Sequence, residues 1–411
     1  MRTRITHPQG TTTAASTATT ATAALAAGCA GLLLVLTGCD SSSAADPSAA
    51  SATGTATAAS ASATGAKNGD TPPVPRVPVP RGEGSRVPYD FNGDGRRDLV
   101  IDSLVKAPGE RHGDEAGTGI VYGTEDAPLD PGARQLLSAR ENAAKSGNTL
   151  PAAFQAEAAC DLDRDGFTDL VVSTDPPYNG VGAPPVPLQI LFGSPQGLTG
   201  KAVTVRIPAQ ARSGNAWPEH PVCGDFDGDG STDLAITASD DRISFLRGPF
   251  TRAGEPAGAA LLPDGGPYLY APEPRADTDG DGYDDLVAAP RPRTPGKAAE
   301  GTLLLGSADG PTAPGGPYTF PAADLPEAPL RTKGTTRTTL LARGDFDGDK
   351  KADTVVRTYG SEGEDLIALY AAGNEDAPAL TFSTTLVLSE RPSEPPSERP
   401  GTPLNSPAYA P

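Results

Sequence analysis

Asp225-Phe226-Asp227-Gly228-Asp229-Gly230-Ser231-Thr232-Asp233, running directly into Leu234-Ala235-Ile236, is the stretch that decides how this chain folds. Aspartates stand at positions 1, 3, 5 and 9. Glycine at position 6 lets the backbone turn back without a Cβ clash. The apolar run after position 9 reads as a strand. The same register recurs as DFNGDGRRD (Asp90 to Asp98), DLDRDGFTD (Asp161 to Asp169), DTDGDGYDD (Asp277 to Asp285) and DFDGDKKAD (Asp345 to Asp353). The starts lie 71, 64, 52 and 68 residues apart, and Leu-Val-Ile, Leu-Val-Val, Leu-Val-Ala or Thr-Val-Val follows each further copy. Five copies of one unit imply a repeat array, in which no unit buries its apolar surface alone.

The spacing suits a hard cation. Calcium takes six to eight oxygens at roughly 2.3–2.6 Å, and alternating carboxylates before a sharp turn supply them from one short loop. The candidate side-chain ligands are Asp90, Asn92, Asp94 and Asp98; Asp161, Asp163, Asp165 and Asp169; Asp225, Asp227, Asp229 and Asp233; Asp277, Asp279, Asp281 and Asp285; and Asp345, Asp347, Asp349 and Asp353. Position 7 (Arg96, Phe167, Ser231, Tyr283, Lys351) varies freely, as expected of a residue that offers only its carbonyl. Position 12 is Ile101, Val172, Ile236, Ala288 or Val356, never the bidentate Glu of an EF-hand, and strands rather than helices follow. Up to five Ca²⁺ are expected, the fifth site being the weakest because Lys350 replaces the glycine.

Composition agrees. The 411 residues include 48 Gly and 44 Pro with only 5% aromatics, which suits many short strands between turns better than a helical core. A net charge of −19 argues against nucleic acid, whose binders need a basic surface. Five divalent ions would cancel about half of that charge. The four cysteines, Cys29, Cys39, Cys160 and Cys223, lack zinc-type spacing. The three histidines leave little for imidazole chemistry, and no GxSxG, HExxH or phosphate-loop motif occurs.

The N-terminus reads as an address and a tether. Arg2 and Arg4 precede an apolar stretch from Ala21 to Leu36, long enough for a signal-peptide core and short for a spanning helix. It ends in Leu36-Thr37-Gly38-Cys39, which resembles the lipobox of bacterial lipoproteins; Ala26-Ala27-Gly28-Cys29 is a poorer match. The resemblance implies cleavage after residue 38, lipidation of Cys39, and anchoring to the outer face of the cell membrane. The alternative is an ordinary cleaved signal. Residues 39–84, rich in Ser, Ala, Thr, Gly and Pro, read as a flexible stalk.

The Asp-rich loop followed by Asp-Leu-Val resembles the FG-GAP/VCBS repeats of integrin-α-like β-propellers. Leu191 to Leu198 (LFGSPQGL), Gly119 to Gly123, Leu303 to Gly306 and Ala289-Pro290 carry the rest of the likeness. It covers residues 85–390 and implies an all-β propeller of four-stranded blades, each with its loop between the first two strands. Outer strands are expected at Val203 to Ile207 and Leu380 to Leu388. Integrin-type propellers have seven blades, whereas five loops can be counted here. Five blades, a larger ring with loopless blades, or an open array completed by a partner all fit. The Pro- and Ser-rich tail, 391–411, could supply a closing strand through Tyr409. Cys160 and Cys223 precede consecutive loops: innermost strands of neighbouring blades permit a disulfide in an oxidising compartment, while their one-position offset tilts the side chains to opposite faces.

Arg343-Gly344-Asp345 spells a cell-adhesion tripeptide, but Asp345 is the first ligand of its loop and should face the ion. The expected function is a non-catalytic binding, adhesion or display module for an extracellular protein or polysaccharide. The rival is a carbohydrate-active propeller, lectin or polysaccharide lyase, which clustering of His220, Tyr268, Tyr270 and Arg275 would favour. Trp217 would be its stacking platform; His112 and His220 are the histidines of the mature chain, and His220 otherwise reads as a strand-end residue.

Overall fold

The computed structural model describes residues 74–104, 117–175, 187–214, 218–326, 337–360 and 365–388. Each Asp-rich loop runs into a strand, and the strands form five antiparallel sheets in chain order. The first holds β1 (Leu99–Ile101), β2 (Thr118–Tyr122) and β3 (Asp130–Leu137), followed by the single turn α1 (Ala139–Asn142). The second holds β4 (Gln155–Cys160), β5 (Asp169–Ser173), β6 (Gln189–Leu191) and β7 (Val203–Thr204), and α2 (Ala209–Arg212) follows. The third is β8 (Val222–Gly224), β9 (Asp233–Ala238), β10 (Arg242–Arg247) and β11 (Gly258–Leu262). The fourth is β12 (Tyr268–Tyr270), β13 (Leu286–Ala289), β14 (Ala299–Leu305) and β15 (Ala313–Phe320). The fifth is β16 (Arg337–Gly344), β17 (Asp353–Tyr359), β18 (Leu366–Tyr370) and β19 (Leu380–Ser383), with α3 (Thr385–Leu388) after it. The sheets are the blades of a five-bladed ring.

Strand periodicity explains why the runs after the loops are apolar on both sides. Successive side chains point to opposite faces. Leu234 and Ile236 of β9 pack with Val171 and Ile190 of the second blade, while Ala235 between them packs with Leu269 and Leu286 of the fourth. All six residues of β9 are therefore buried. Position 2 of the loops plugs the joint to the next blade. Phe91, Leu162, Phe226 and Phe346 are each at most 2% exposed and belong to clusters shared with a neighbour. The fourth loop has exposed Thr278 there.

A buried arginine joins the fifth blade to the first. Arg357 donates through Nε and Nη2 to Asp365 (2.8 and 2.5 Å), and through Nη1 and Nη2 to the carbonyls of Asp102 (2.6 Å) and Ser103 (3.0 Å). Satisfying the guanidinium this fully offsets its desolvation. Cys160 and Cys223 are disulfide-bonded, Cα–Cα 6.3 Å, tying β4 to β8 across the second joint despite their offset.

Three expectations need correction. The first blade has no strand before its loop. Residues 77–85 instead run along the loops: Val77 N–H donates to Gly132, Gly82 to Asn92, Gly84 to Gly93 and Ser85 to Gly166. Pro88 then lacks an amide to donate, and Tyr89 turns with φ 63°. A 280 Å³ cavity lies at the inner edge of β1, between Ala156–Ala159 of β4 and Leu341–Arg343 of β16. The strand expected over Val203 to Ile207 stops at Thr204, four residues before Pro208. The strand expected over Leu380 to Leu388 stops at Ser383; Thr384 N–H bonds Asp365 and starts the turn that buries Val387 against the first blade. Cys39, residues 1–38 and the 391–411 tail with Tyr409 lie outside the described residues, as do His112 and Trp217.

Candidate metal centres

The five loops share one hydrogen-bond plan. The position-6 amide donates to Oδ2 of the position-1 aspartate at 2.7–3.1 Å in every copy, from Gly95, Gly166, Gly230, Gly282 and Lys350. All five donors have positive φ, 66° at Lys350 and 79–95° at the glycines. Glycine takes that conformation without strain, and Lys350 does not. The position-7 amide donates to the position-5 carboxylate at 2.7–3.0 Å. The loop thus folds around its own carboxylates.

Position 9 does more than its place in a ligand set suggests. In every copy one of its oxygens accepts from the position-2 amide at 2.8–3.2 Å. The other accepts, at 2.8–3.0 Å, from an amide just past the strand that pairs with the post-loop strand: Gly123, Gly193, Gly248, Gly306 or Ala372. Asp98, Asp169, Asp233, Asp285 and Asp353, all at most 1% exposed, therefore pin loop to sheet. Each oxygen keeps a second lone pair for a cation, except Asp285 Oδ2, which also accepts from the Thr278 hydroxyl. The glycines are required by space. A Cβ would sit 2.3–2.9 Å from the carbonyl of Arg97, Thr168, Thr232 or Asp284. This role was missed in the sequence, although Gly123, Gly248 and Gly306 directly follow a strand and Gly193 comes one residue later.

Position 7 also has a second task. In the second, third and fourth loops its side chain faces position 4 of the preceding loop. A Cβ on Gly93 would lie 2.4 Å from the Phe167 ring, and one on Gly228 2.6 Å from Tyr283. Ser231 accepts from Arg164 at 3.3 Å. Variation at position 7 is therefore variation in how loops contact one another.

Carboxylate oxygens converge within 4.8 Å in four loops: Asp161, Asp163 and Asp169; Asp225, Asp227 and Asp229; Asp277, Asp279 and Asp285; Asp345, Asp347 and Asp353. Asp165, Asp233, Asp281 and Asp349 fall outside these groups. In the first loop Asn92 takes the place of an acid, and Asp90, Asp94 and Asp98 form no such group. A cation fits what is left over: Asn92 Oδ1, Asp163 Oδ1 and Asp225 Oδ1 are buried and have no hydrogen-bond partner. Burial makes a carboxylate hold its proton more tightly. Burial, with neighbouring aspartates adding to it, raises Asp98 and Asp169 well above the usual carboxylate range, Asp233 to about 7 and Asp163 to about 6. Asp349 is lowered instead, by a hydrogen bond from Lys351. Asp345 of the Arg-Gly-Asp sequence accepts from Gly348 and Lys350 and converges with Asp347 and Asp353.

The proposed carbohydrate cluster assembles only in part. The His220 and Tyr268 rings lie 4.7 Å apart, tilted at 41°. The Tyr270 hydroxyl accepts from the Arg293 amide, its ring packs on Phe320, and Arg275 is exposed.

The fold and its sites define a β-propeller in which four of the five loops carry aspartate clusters that could hold a metal ion. Residues 161–236, from the second loop through most of β9, match the family model for an FG-GAP-like repeat, and that match lies within the five-bladed propeller. No curated protein matches the chain.

Proposed function

We propose that the five loops are calcium sites, and that the propeller is a calcium-stiffened, non-catalytic display or adhesion module. In this reading Cys39 tethers it to the outer face of a bacterial membrane, and its surface meets an extracellular protein or polysaccharide. The observation that carries the calcium assignment is the repeated cradle of hard oxygens with buried, unpartnered members at Asn92, Asp163 and Asp225. Oxygen-only donor sets favour calcium or magnesium over softer metals, and a flexible loop of many carboxylates favours the larger ion. Bound calcium would supply positive charge to loops whose carboxylates are only partly paired with basic side chains. The Cys160–Cys223 disulfide supports an oxidising, extracytoplasmic setting.

Equilibrium dialysis against calcium tests the assignment: several ions bound per chain are expected, and none bound would refute it. The His220–Tyr268 contact is the one part of the expected carbohydrate cluster that assembles. A glycan array and a polysaccharide depolymerisation assay, both in calcium, separate the two: depolymerisation would replace the display module with an enzyme.

A further inference from the structure

We infer that Arg252 and Arg247 make the loops unequal toward calcium, serving as internal counter-ions that a metal must displace from the second and third loops. The inference rests on the reading of the loops as calcium sites and concerns the order in which they fill. Arg252 lies in the turn after β10, in the third blade, yet reaches back to the second loop. Its Nε meets Asp163 Oδ2 and its Nη2 meets Asp165 Oδ2, while the guanidinium lies 4.5 Å over the Phe192 ring. Arg247, the last residue of β10, places Nη1 2.6 Å from Asp227 Oδ2 and Nη2 3.2 Å from the Ala308 carbonyl, with its guanidinium 5.3 Å from the Phe245 ring.

These are not loose surface pairs. The carboxylate ends are enclosed, Asp163 at 8% and Asp227 at 3% side-chain exposure. Each guanidinium is held by an aromatic face as well, so its geometry is set before it meets the acid. A divalent ion in either loop needs the same carboxylates. It must therefore break the arginine contacts or share the oxygens with a positive charge a few ångströms away, and both weaken binding. Asp163 Oδ1, still unpartnered, marks where an ion would enter the second loop. Among the described residues no basic side chain pairs with Asp277, Asp279, Asp281 or Asp285, so the fourth loop meets no such competitor. Calcium should fill the fourth loop first and the second and third last, and the last step releases Arg252 and Arg247 at the two ends of one turn.

Calorimetric titration of the full chain with calcium tests this. Wild type is expected to show a tight and a weak class of sites, and Asp279→Asn to deplete the tight one. Arg252→Gln should tighten one weak site about fivefold, the effect expected for removing one partly exposed competing charge, and Arg247→Gln should do the same for another. Arg252→Lys, which keeps charge without the fork, should tighten less, and melting in chelator reports whether each variant is folded. A single class of sites in wild type, or an Arg252→Gln isotherm that is unchanged or weaker, overturns the inference while leaving the calcium sites standing. No calcium binding by wild type removes both.

Discussion

The joint between the third and fourth blades and the joint between the fourth and fifth are built from nearly the same loop, yet they differ in kind. At the first, Phe226 is fully buried and meets Phe245 edge-on at 6.3 Å. Asp284 donates its amide to the Asp225 carbonyl and accepts the Asp225 amide on its carboxylate (2.8 Å), and Ser307 N–H bonds the Phe226 carbonyl. Tyr283 closes over Gly228. At the second, every counterpart is missing. Position 2 is exposed Thr278, whose side chain turns inward to Asp285. Position 8 is Ala352, which has no carboxylate to reach back. Lys351 at position 7 bonds Asp349 of its own loop. The apolar residues stay in two clusters, Val287, Leu303 and Phe320 on one side and Val356, Ala368 and Tyr370 on the other. The aspartates make the loop, and the residues between them make the joint.

The largest effect should come from the plug. Phe226→Ala should lower unfolding stability by about 3–5 kcal/mol, as for large-to-small changes in a close-packed core. Thr278→Ala, at the equivalent position, should cost about 1 kcal/mol or less. Equal losses in urea titrations would abolish the contrast. Next is glycine at position 4. Gly228→Ala places a Cβ 2.6 Å from Tyr283 at φ 70° and should cost about 2–3 kcal/mol. At Gly280, φ 80°, a Cβ meets nothing within 4 Å, so only the backbone penalty of about 1 kcal/mol remains. Similar thermal shifts for the two would mean that Tyr283 does not hold this joint.

Acid has a smaller effect, opposite in direction to ordinary acid denaturation. Asp163 and Asp233 hold their protons more tightly folded than unfolded. In the metal-free protein their contribution is therefore present below about pH 4 and declines as pH rises toward about 7. Melting in chelator should be higher at pH 5.5 than at 7.5, by roughly 1 kcal/mol after solvent screening. A higher melt at 7.5 would contradict it. The smallest gain belongs to Lys350→Gly, which relieves a left-handed lysine (φ 66°) and should add about 0.5–1 kcal/mol. A loss on denaturant titration would show that Lys350 is needed for something else.

Much of this was legible in residues. Asp225 to Asp233 and its four copies announced the loops, and the runs after them announced strands buried on both faces. Thr278 and Ala352 were equally visible, but their meaning depends on which blade they face. The missing first strand was harder, because a regular loop at Asp90 promises a strand before it, and only Pro88 and the route of residues 77–85 withhold one. Arg252 was beyond reach: it joins Asp163 across two blades, and the sequence holds no spacing for such a contact.

The central claim is that the loops are calcium sites that stabilise the ring, and a thermal melt of the full chain followed by circular dichroism tests it most directly, in millimolar calcium and then in chelator. The account predicts a β-type spectrum and a melting temperature several degrees higher in calcium, since five ions that bind only the folded state add their stabilisation. The same melt in both buffers would contradict it, leaving the aspartate loops as turns held by their own hydrogen bonds.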